Sequence, residues 1–452
     1  MNFFDLLLGN KQDDSVFSKQ NIIFDPHSKT YVVEQGLTGN RILLIKSIYQ
    51  NDLLSFLVNY LKSINGKFKH IEINLSKFAN DGSKILIDVA NYLTQSSLIL
   101  NLDFLDVKFI QMNWKDYQSQ IVSDFLKCIG PNLNKFSIDI QQNLFTFEGL
   151  SHILVRLCLL FKNLKQLNIN FQNNQIKNQI SAEQMCLGMQ SVFSLKYLTD
   201  LTLDLSQNHI FKEFFEGISA QEKLQVNSAL KYLKLIIKNQ EEILDISCLS
   251  HIFKGAQNLK KIQLILINTC FQKMELFMEA LSKSKLTTLQ LDLSINFEHI
   301  KVLTDSRQNK ELRVQEQILN IFTHLVSCKN LMEIDFSFKN HSFTDKHILF
   351  LSNLLNQSKQ LHKVSLDLQQ NYDNKNLSQN SILQLQGSLL NREILSQGLI
   401  YIYQNTIQNK RLLSNQYSLK IQQILLQNIV FQKLTQTYIL FNPKFAVLDF
   451  YF

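Results

Sequence analysis

The sequence predicts an α/β solenoid, an open array of strand–helix units with an inner parallel sheet and outer helices. Three observations lead there. An eight-residue pattern, apolar-x-x-apolar-x-apolar-x-apolar, recurs ten times. Stretches of helical periodicity separate the copies. Glycine (12) and proline (3) are too scarce in 452 residues for a fold built on tight hairpins.

The copies begin at Phe68, Leu102, Leu133, Leu164, Leu198, Leu230, Leu259, Leu286, Leu331 and Leu361. Successive starts lie 34, 31, 31, 34, 32, 29, 27, 45 and 30 residues apart. A near-constant spacing of this size marks an array of supersecondary units. Each copy ends in strict alternation, the period of a half-buried strand. Between copies, Phe147–Lys162, Gln317–Cys328 and His347–Ser358 carry apolar residues at helical spacing. No single strand–helix unit can bury its apolar face alone. Stacked units share one continuous core.

Four copies run on into a polar tail: LTDLTLDLSQNHI (Leu198–Ile210), LKQLNINFQNNQI (Leu164–Ile176), LTTLQLDLSINF (Leu286–Phe297) and LHKVSLDLQQN (Leu361–Asn371). This tail resembles the leucine-rich-repeat family, in its long, helix-bearing, ribonuclease-inhibitor-like subclass. The family pattern L-x-x-L-x-L-x-x-N-x-L appears here extended by two residues. The resemblance covers about residues 65–390 and implies a horseshoe-shaped solenoid. Asn143, Asn174, Asn208, Asn296 and Asn371 occupy the family's asparagine slot. An amide there can satisfy backbone groups where the strand turns away, and stacked copies form a ladder. Phe78, Met112, Gln240, Thr269 and His341 replace it elsewhere, so a broken ladder is expected.

Three divisions follow. Residues 1–67 read as an N-terminal cap, with Ile42–Ile64 helical. Residues 68–391 form the solenoid of about ten units. Residues 392–452 read as a helical C-terminal cap ending in an aromatic tail, Phe441–Phe452. The 45-residue unit carries an insertion near 298–316, whose polar stretch Asp305–Glu311 reads as a loop: a surface excursion or a binding loop.

The alternating x residues of the strands are expected on the concave side. Across the ten copies they carry nine acids (Glu72, Asp106, Asp139, Asp200, Asp204, Asp292, Glu333, Asp335, Asp367). Five lysines oppose them (Lys108, Lys135, Lys234, Lys261, Lys363), for a net −4. The whole chain is +8, so the strip is opposite in sign. A negative groove argues against phosphate binding there, and only six arginines argue against nucleic-acid recognition generally. Tyr232, Ile236 and Ile265 interrupt the strip with an apolar spot. An aromatic and two aliphatics inside a polar rim have the composition of an interface core. The candidate partner-binding residues are therefore Asp200, Asp204, Tyr232, Lys234, Ile236, Ile265, Asp292, Glu333, Asp335 and Asp367, facing a protein segment that is basic or partly apolar. The other reading of the isoleucines is that β-branched residues suit a strand.

Catalytic signatures are lacking. The chain has no G-x-x-x-x-G-K-[ST], no G-x-G-x-x-G, no H-E-x-x-H and no G-x-S-x-G. No cofactor, metal or enzymatic activity is expected. None of the six cysteines forms a close-ligand pair, which suggests buried free thiols in a reducing compartment. The N-terminus lacks a basic n-region, and no apolar run reaches the length of a membrane span. The expectation is an intracellular, most simply cytoplasmic, scaffold or adaptor within an assembly. Two alternatives follow from the resemblance. A regulator of a small GTPase would need a suitably placed Arg or Asn, and Arg41 is the only arginine before the third repeat. A ubiquitin-ligase substrate receptor would need a separate N-terminal adaptor module, for which residues 1–67 are short.

Overall fold

The structure is a computed structural model. It describes residues 32–35, 41–45, 70–74, 79–95, 97, 99–174, 182–208, 229–239, 244–250, 256–269, 271–294, 307–339, 341, 343–367, 378–390, 397–401 and 437–440. The chain divides into two compact units, Met1–Asn174 and Gln175–Phe452.

In the first unit the order is β1 (Val32–Gln35), β2 (Arg41–Ile45), β3 (His70–Asn74), α1 (Ala79–Gln95), β4 (Phe104–Lys108), α2 (Gln118–Leu126), β5 (Lys135–Asp139), α3 (Phe147–Leu160) and β6 (Gln166–Asn170). β1 and β2 pair antiparallel; β2 through β6 pair in parallel, each strand with the next. The second unit holds α4 (Ala182–Phe193), β7 (Asp200–Asp204), β8 (Tyr232–Ile236), β9 (Leu244–Asp245), β10 (Lys261–Ile265), β11 (Phe271–Gln272), α5 (Met274–Ser282) and β12 (Thr288–Asp292). It continues with α6 (Arg307–Leu325), β13 (Glu333–Ser337), α7 (Asp345–Gln357), β14 (Lys363–Asp367), α8 (Gln379–Leu390), β15 (Gln397–Tyr401) and β16 (Thr437–Leu440). Its main ladder runs in parallel through β7, β8, β10, β12, β13, β14, β15 and β16. The short strands β9 and β11 pair separately.

Each of the ten alternating pentads read from the sequence is a strand with those same five residues, His70–Asn74 through Lys363–Asp367. The cause is visible in burial. In the nine pentads from Phe104–Lys108 to Lys363–Asp367 the second and fourth residues are buried and the x residues around them are half-exposed or exposed. The leucine that opens a copy is at most 1% exposed at Leu133, Leu164, Leu198, Leu230, Leu259, Leu286, Leu331 and Leu361. Burying one such side chain contributes about 1.5–3 kcal/mol. Because the spacing repeats, these leucines recur at one register position and build the core unit by unit.

The helices follow from the same pattern. In α3, Leu150, Ile153, Leu154 and Leu157 recur at helical spacing and are fully buried. Thr146 begins the helix: its hydroxyl accepts the Glu148 N–H at 3.2 Å. Asp116, just ahead of α2, holds Thr146 in turn, accepting its N–H at 2.8 Å and its hydroxyl at 2.7 Å. Gly149 lies where a Cβ would meet the Asp116 carboxylate and, at 2.8 Å, the Phe145 ring. Gly149→Ala is expected to destabilise the first unit by about 1–3 kcal/mol by forcing these groups apart; urea denaturation of the full chain checks it. Aromatic contacts fill the remaining space, with Phe145 and Phe171 at 6.2 Å in the first unit and Phe322 edge-on to Phe338 at 5.7 Å in the second.

Three local expectations are corrected. Ile42–Ile45, placed at the start of a cap helix, belong to the strand Arg41–Ile45. Gln397–Tyr401 and Thr437–Leu440, inside a segment read as helical, are strands too. Short apolar runs do not distinguish strand from helix by periodicity, and an open sheet edge supplies unpaired N–H and C=O groups that such runs satisfy. Arg307–Glu311, read as part of a polar loop, belongs to α6, as does the rest of the insertion up to Glu316. It lacks Gly and Pro, and its Arg, Gln, Lys, Glu and Leu residues favour helix without any apolar stripe. The remainder of the insertion, residues 298–306, and the aromatic tail lie outside the described residues.

Candidate functional site

The asparagine slot lies four residues past each strand end and is filled as the sequence implied at three positions. Buried Asn143 accepts the N–H groups of Met112 at 2.9 Å and Trp114 at 3.2 Å. Its amide donates to the carbonyls of Phe109 at 2.6 Å and Ile140 at 3.0 Å. Asn174 repeats the arrangement one copy on, accepting from Phe145 N–H and donating to Ile140 and Phe171. Asn208 donates to the Leu205 carbonyl at 3.0 Å. Two replacements perform part of the same task. The Thr269 hydroxyl donates to Ile237 at 3.2 Å, and His341 Nε2 donates to Leu293 at 2.6 Å. Met112 is buried in the slot but has no amide to offer. Asn296, Asn371, Phe78 and Gln240 lie outside the described residues.

Two further features recur among the described turns and escaped the sequence reading. The residue just before the slot is left-handed: Gln111, Gln142, Asn173, Gln207, Asn239 and Asn268 have φ between 51° and 57°. Non-glycine residues rarely adopt this conformation, and asparagine tolerates it best. The fold therefore turns its chain repeatedly without spending glycine. The signal available was the recurrence of Gln or Asn ahead of the slot. Second, the last strand residue folds back on the turn. Asp139, Asn170, Asp204 and Asp292 accept the N–H two residues on, at 2.9–3.2 Å. Asp204 and Asp292, read as partner-binding acids, thus hold a turn with one oxygen.

All ten candidate partner-binding residues fall in the second unit, and parallel register sorts its strip into three rows. The first is Asp200, Tyr232, Lys261, Thr288, Glu333, Lys363. The second is Thr202, Lys234, Gln263, Gln290, Asp335, Ser365. The third is Asp204, Ile236, Ile265, Asp292, Ser337, Asp367. Charges balance in the first two rows: Asp200 and Glu333 against Lys261 and Lys363, then Lys234 against Asp335. The acid excess sits in the third row, at the strand ends.

Side-chain contacts within the strip are local. Tyr232 donates its hydroxyl to Gln263 at 3.1 Å, and Lys261 lies 5.6 Å from the centre of its ring. Burial, and then the Asp200 carboxylate, pushes the Tyr232 phenol up, so it remains a neutral donor. Gln290 donates to Asp335 at 3.0 Å. Lys339 pairs with Asp367 at 3.0 Å, which takes one acid of the third row into an ion pair. Ile236 and Ile265 are register partners, half-exposed side by side, with Asp204 and Asp292 as the next residues outward in the row.

No group of three or more His, Cys, Asp or Glu among the described residues could hold a metal ion. No helix there is long and apolar enough to cross a membrane. Cys128, Cys158 and Cys328 are buried and unpaired, and burial raises all three thiols, Cys158 and Cys328 to about 12. A thiol so raised is no nucleophile. A scan against protein-family models finds no match to this chain, and a search of curated proteins likewise finds none.

Proposed function

We propose that the chain is a non-catalytic scaffold or adaptor of the leucine-rich-repeat type, binding a partner protein through the exposed face of the second unit's strands as part of an intracellular assembly. The observation that carries this reading is the half-exposed pair Ile236 and Ile265, adjacent in register and set within rows of polar and charged residues. Apolar side chains ringed by polar ones match the centre and rim of a protein interface. The asparagine ladder and the recurrent left-handed turn support the repeat type. Three buried, unpaired cysteines support a reducing setting.

The test is affinity purification with crosslinking, comparing the wild-type chain with Ile236→Asp/Ile265→Asp. The wild type is expected to yield a stoichiometric partner crosslinked through Lys234 or Lys261. The double variant should lose that partner at least about tenfold, the effect of about 1.4 kcal/mol, with an unchanged circular dichroism spectrum. Full retention of the partner by a folded double variant would falsify the assignment of this face.

A further inference from the structure

Building on the reading above, we infer that the third row takes an extended segment carrying Lys or Arg at position i, an aliphatic residue at i+2 and Lys or Arg at i+4, laid across the strands. The row reads Asp204, Ile236, Ile265, Asp292 on four successive ladder strands, β7, β8, β10 and β12. Neighbouring strands lie about 4.8 Å apart, so the two carboxylates are separated by three spacings, about 14 Å. An extended chain places residues i, i+2 and i+4 on one side, with i and i+4 about 13 Å apart. Two cations at that spacing reach Asp204 and Asp292 together, while the residue between them falls on the isoleucine pair. Each carboxylate holds its turn through one oxygen, at 2.9 Å to Ser206 and 3.1 Å to Ser294.

The surrounding lysines sharpen the pattern. Lys234 and Lys238 stand two residues before and after Ile236, so a cation at i+2 would meet like charge on both sides. Ile267, two residues past Ile265 and likewise half-exposed, widens the apolar centre. The row thus selects charge at the ends and apolar surface in the middle, which a uniformly basic segment does not supply.

The test uses the full chain and fluorescein-labelled peptides read by anisotropy. One peptide carries Lys at i, Leu at i+2 and Lys at i+4 between serines. A second, of equal composition, moves one Lys to i+3, onto the opposite side. The first is expected to bind at least about tenfold tighter, with affinity falling as salt rises. Asp204→Asn/Asp292→Asn should remove that preference while keeping the fold, because Asn170 makes the same turn bond to Gln172 at 3.2 Å. Equal binding of the two peptides, or a preference unchanged in the double variant, overturns the inference. So does self-association through this row, seen as a dimer in sedimentation that Asp204→Asn/Asp292→Asn dissolves. A partner lost by Ile236→Asp/Ile265→Asp but kept by Asp204→Asn/Asp292→Asn would sink this inference and leave the scaffold reading standing. A partner indifferent to both double variants would sink both.

Discussion

Asn143→Ala is expected to lower the stability of the first unit by about 3–5 kcal/mol. The side chain joins two neighbouring copies through four backbone groups: the N–H of Met112 and Trp114, and the carbonyls of Phe109 and Ile140. Asn143 itself is 2% exposed, so water has little access to replace those bonds. Each buried backbone group left without a partner costs about 1–3 kcal/mol, which outweighs anything gained by removing a polar side chain from the core. Asn143→Thr should recover part of the loss. At the equivalent slot, Thr269 already donates to Ile237, but its hydroxyl has no second arm for the N–H groups. Urea denaturation gives the size of the effect. Amide exchange at Met112 and Trp114 gives its location, since those two N–H groups lose their acceptor outright. A loss under about 1 kcal/mol with slow exchange at both amides would mean that the turn is held by its neighbours and not by the ladder.

The strands were legible because two independent periods, two residues within a strand and about thirty between copies, select the same pentads. No other assignment buries Leu105, Val107, Leu133 and their equivalents together. The ladder was legible where asparagine fills it, because the amide is the side chain that both donates and accepts there. It was less so at Thr269 and His341, which keep only the donor half. The dual duty of Asp204 and Asp292 was hidden. An aspartate ending a strand looks like surface charge, and its hydrogen bond to the N–H two residues on depends on a turn conformation that composition does not encode. The strip's net charge was readable as a sum, but its concentration in one row depends on pairing register. That row is what turns a diffuse acidic face into a spaced pair of carboxylates around two isoleucines. Strands at Arg41–Ile45 and Gln397–Tyr401 were missed for a related reason: an isolated apolar run takes its conformation from the sheet edge beside it.

His341→Asn is expected to remove an acid sensitivity that the wild-type second unit carries. His341 is fully buried, and desolvation holds its imidazole down at about 4, opposed by the Leu293 carbonyl and Asp292 and assisted by the nearby His347. The carbonyl requires the proton on Nε2. His347 is lowered as well, by burial first and by Lys346, against its bond to the Gln315 carbonyl. It caps α7, its Nδ1 accepting the Thr344 N–H at 3.1 Å, which fits the same neutral tautomer. Both groups bind protons more readily unfolded, near 6.5, than folded. Their contribution is therefore complete above about pH 6.5 and declines as pH falls toward the folded values. For His341 alone the loss is about 2 kcal/mol by pH 5 and about 3 kcal/mol at most. Asparagine in the slot donates to the same class of carbonyl, as Asn143 does to Phe109, and carries no proton equilibrium. The variant forfeits the ring contacts with Phe338, so it should start about 1 kcal/mol less stable at pH 7.5. Between pH 7.5 and 5 its unfolding midpoint should nevertheless fall by much less than the wild type's, and the two curves should converge or cross. Parallel curves over that range would show that the acid sensitivity of this unit resides elsewhere, with His347 and the α7 cap as the next group to replace.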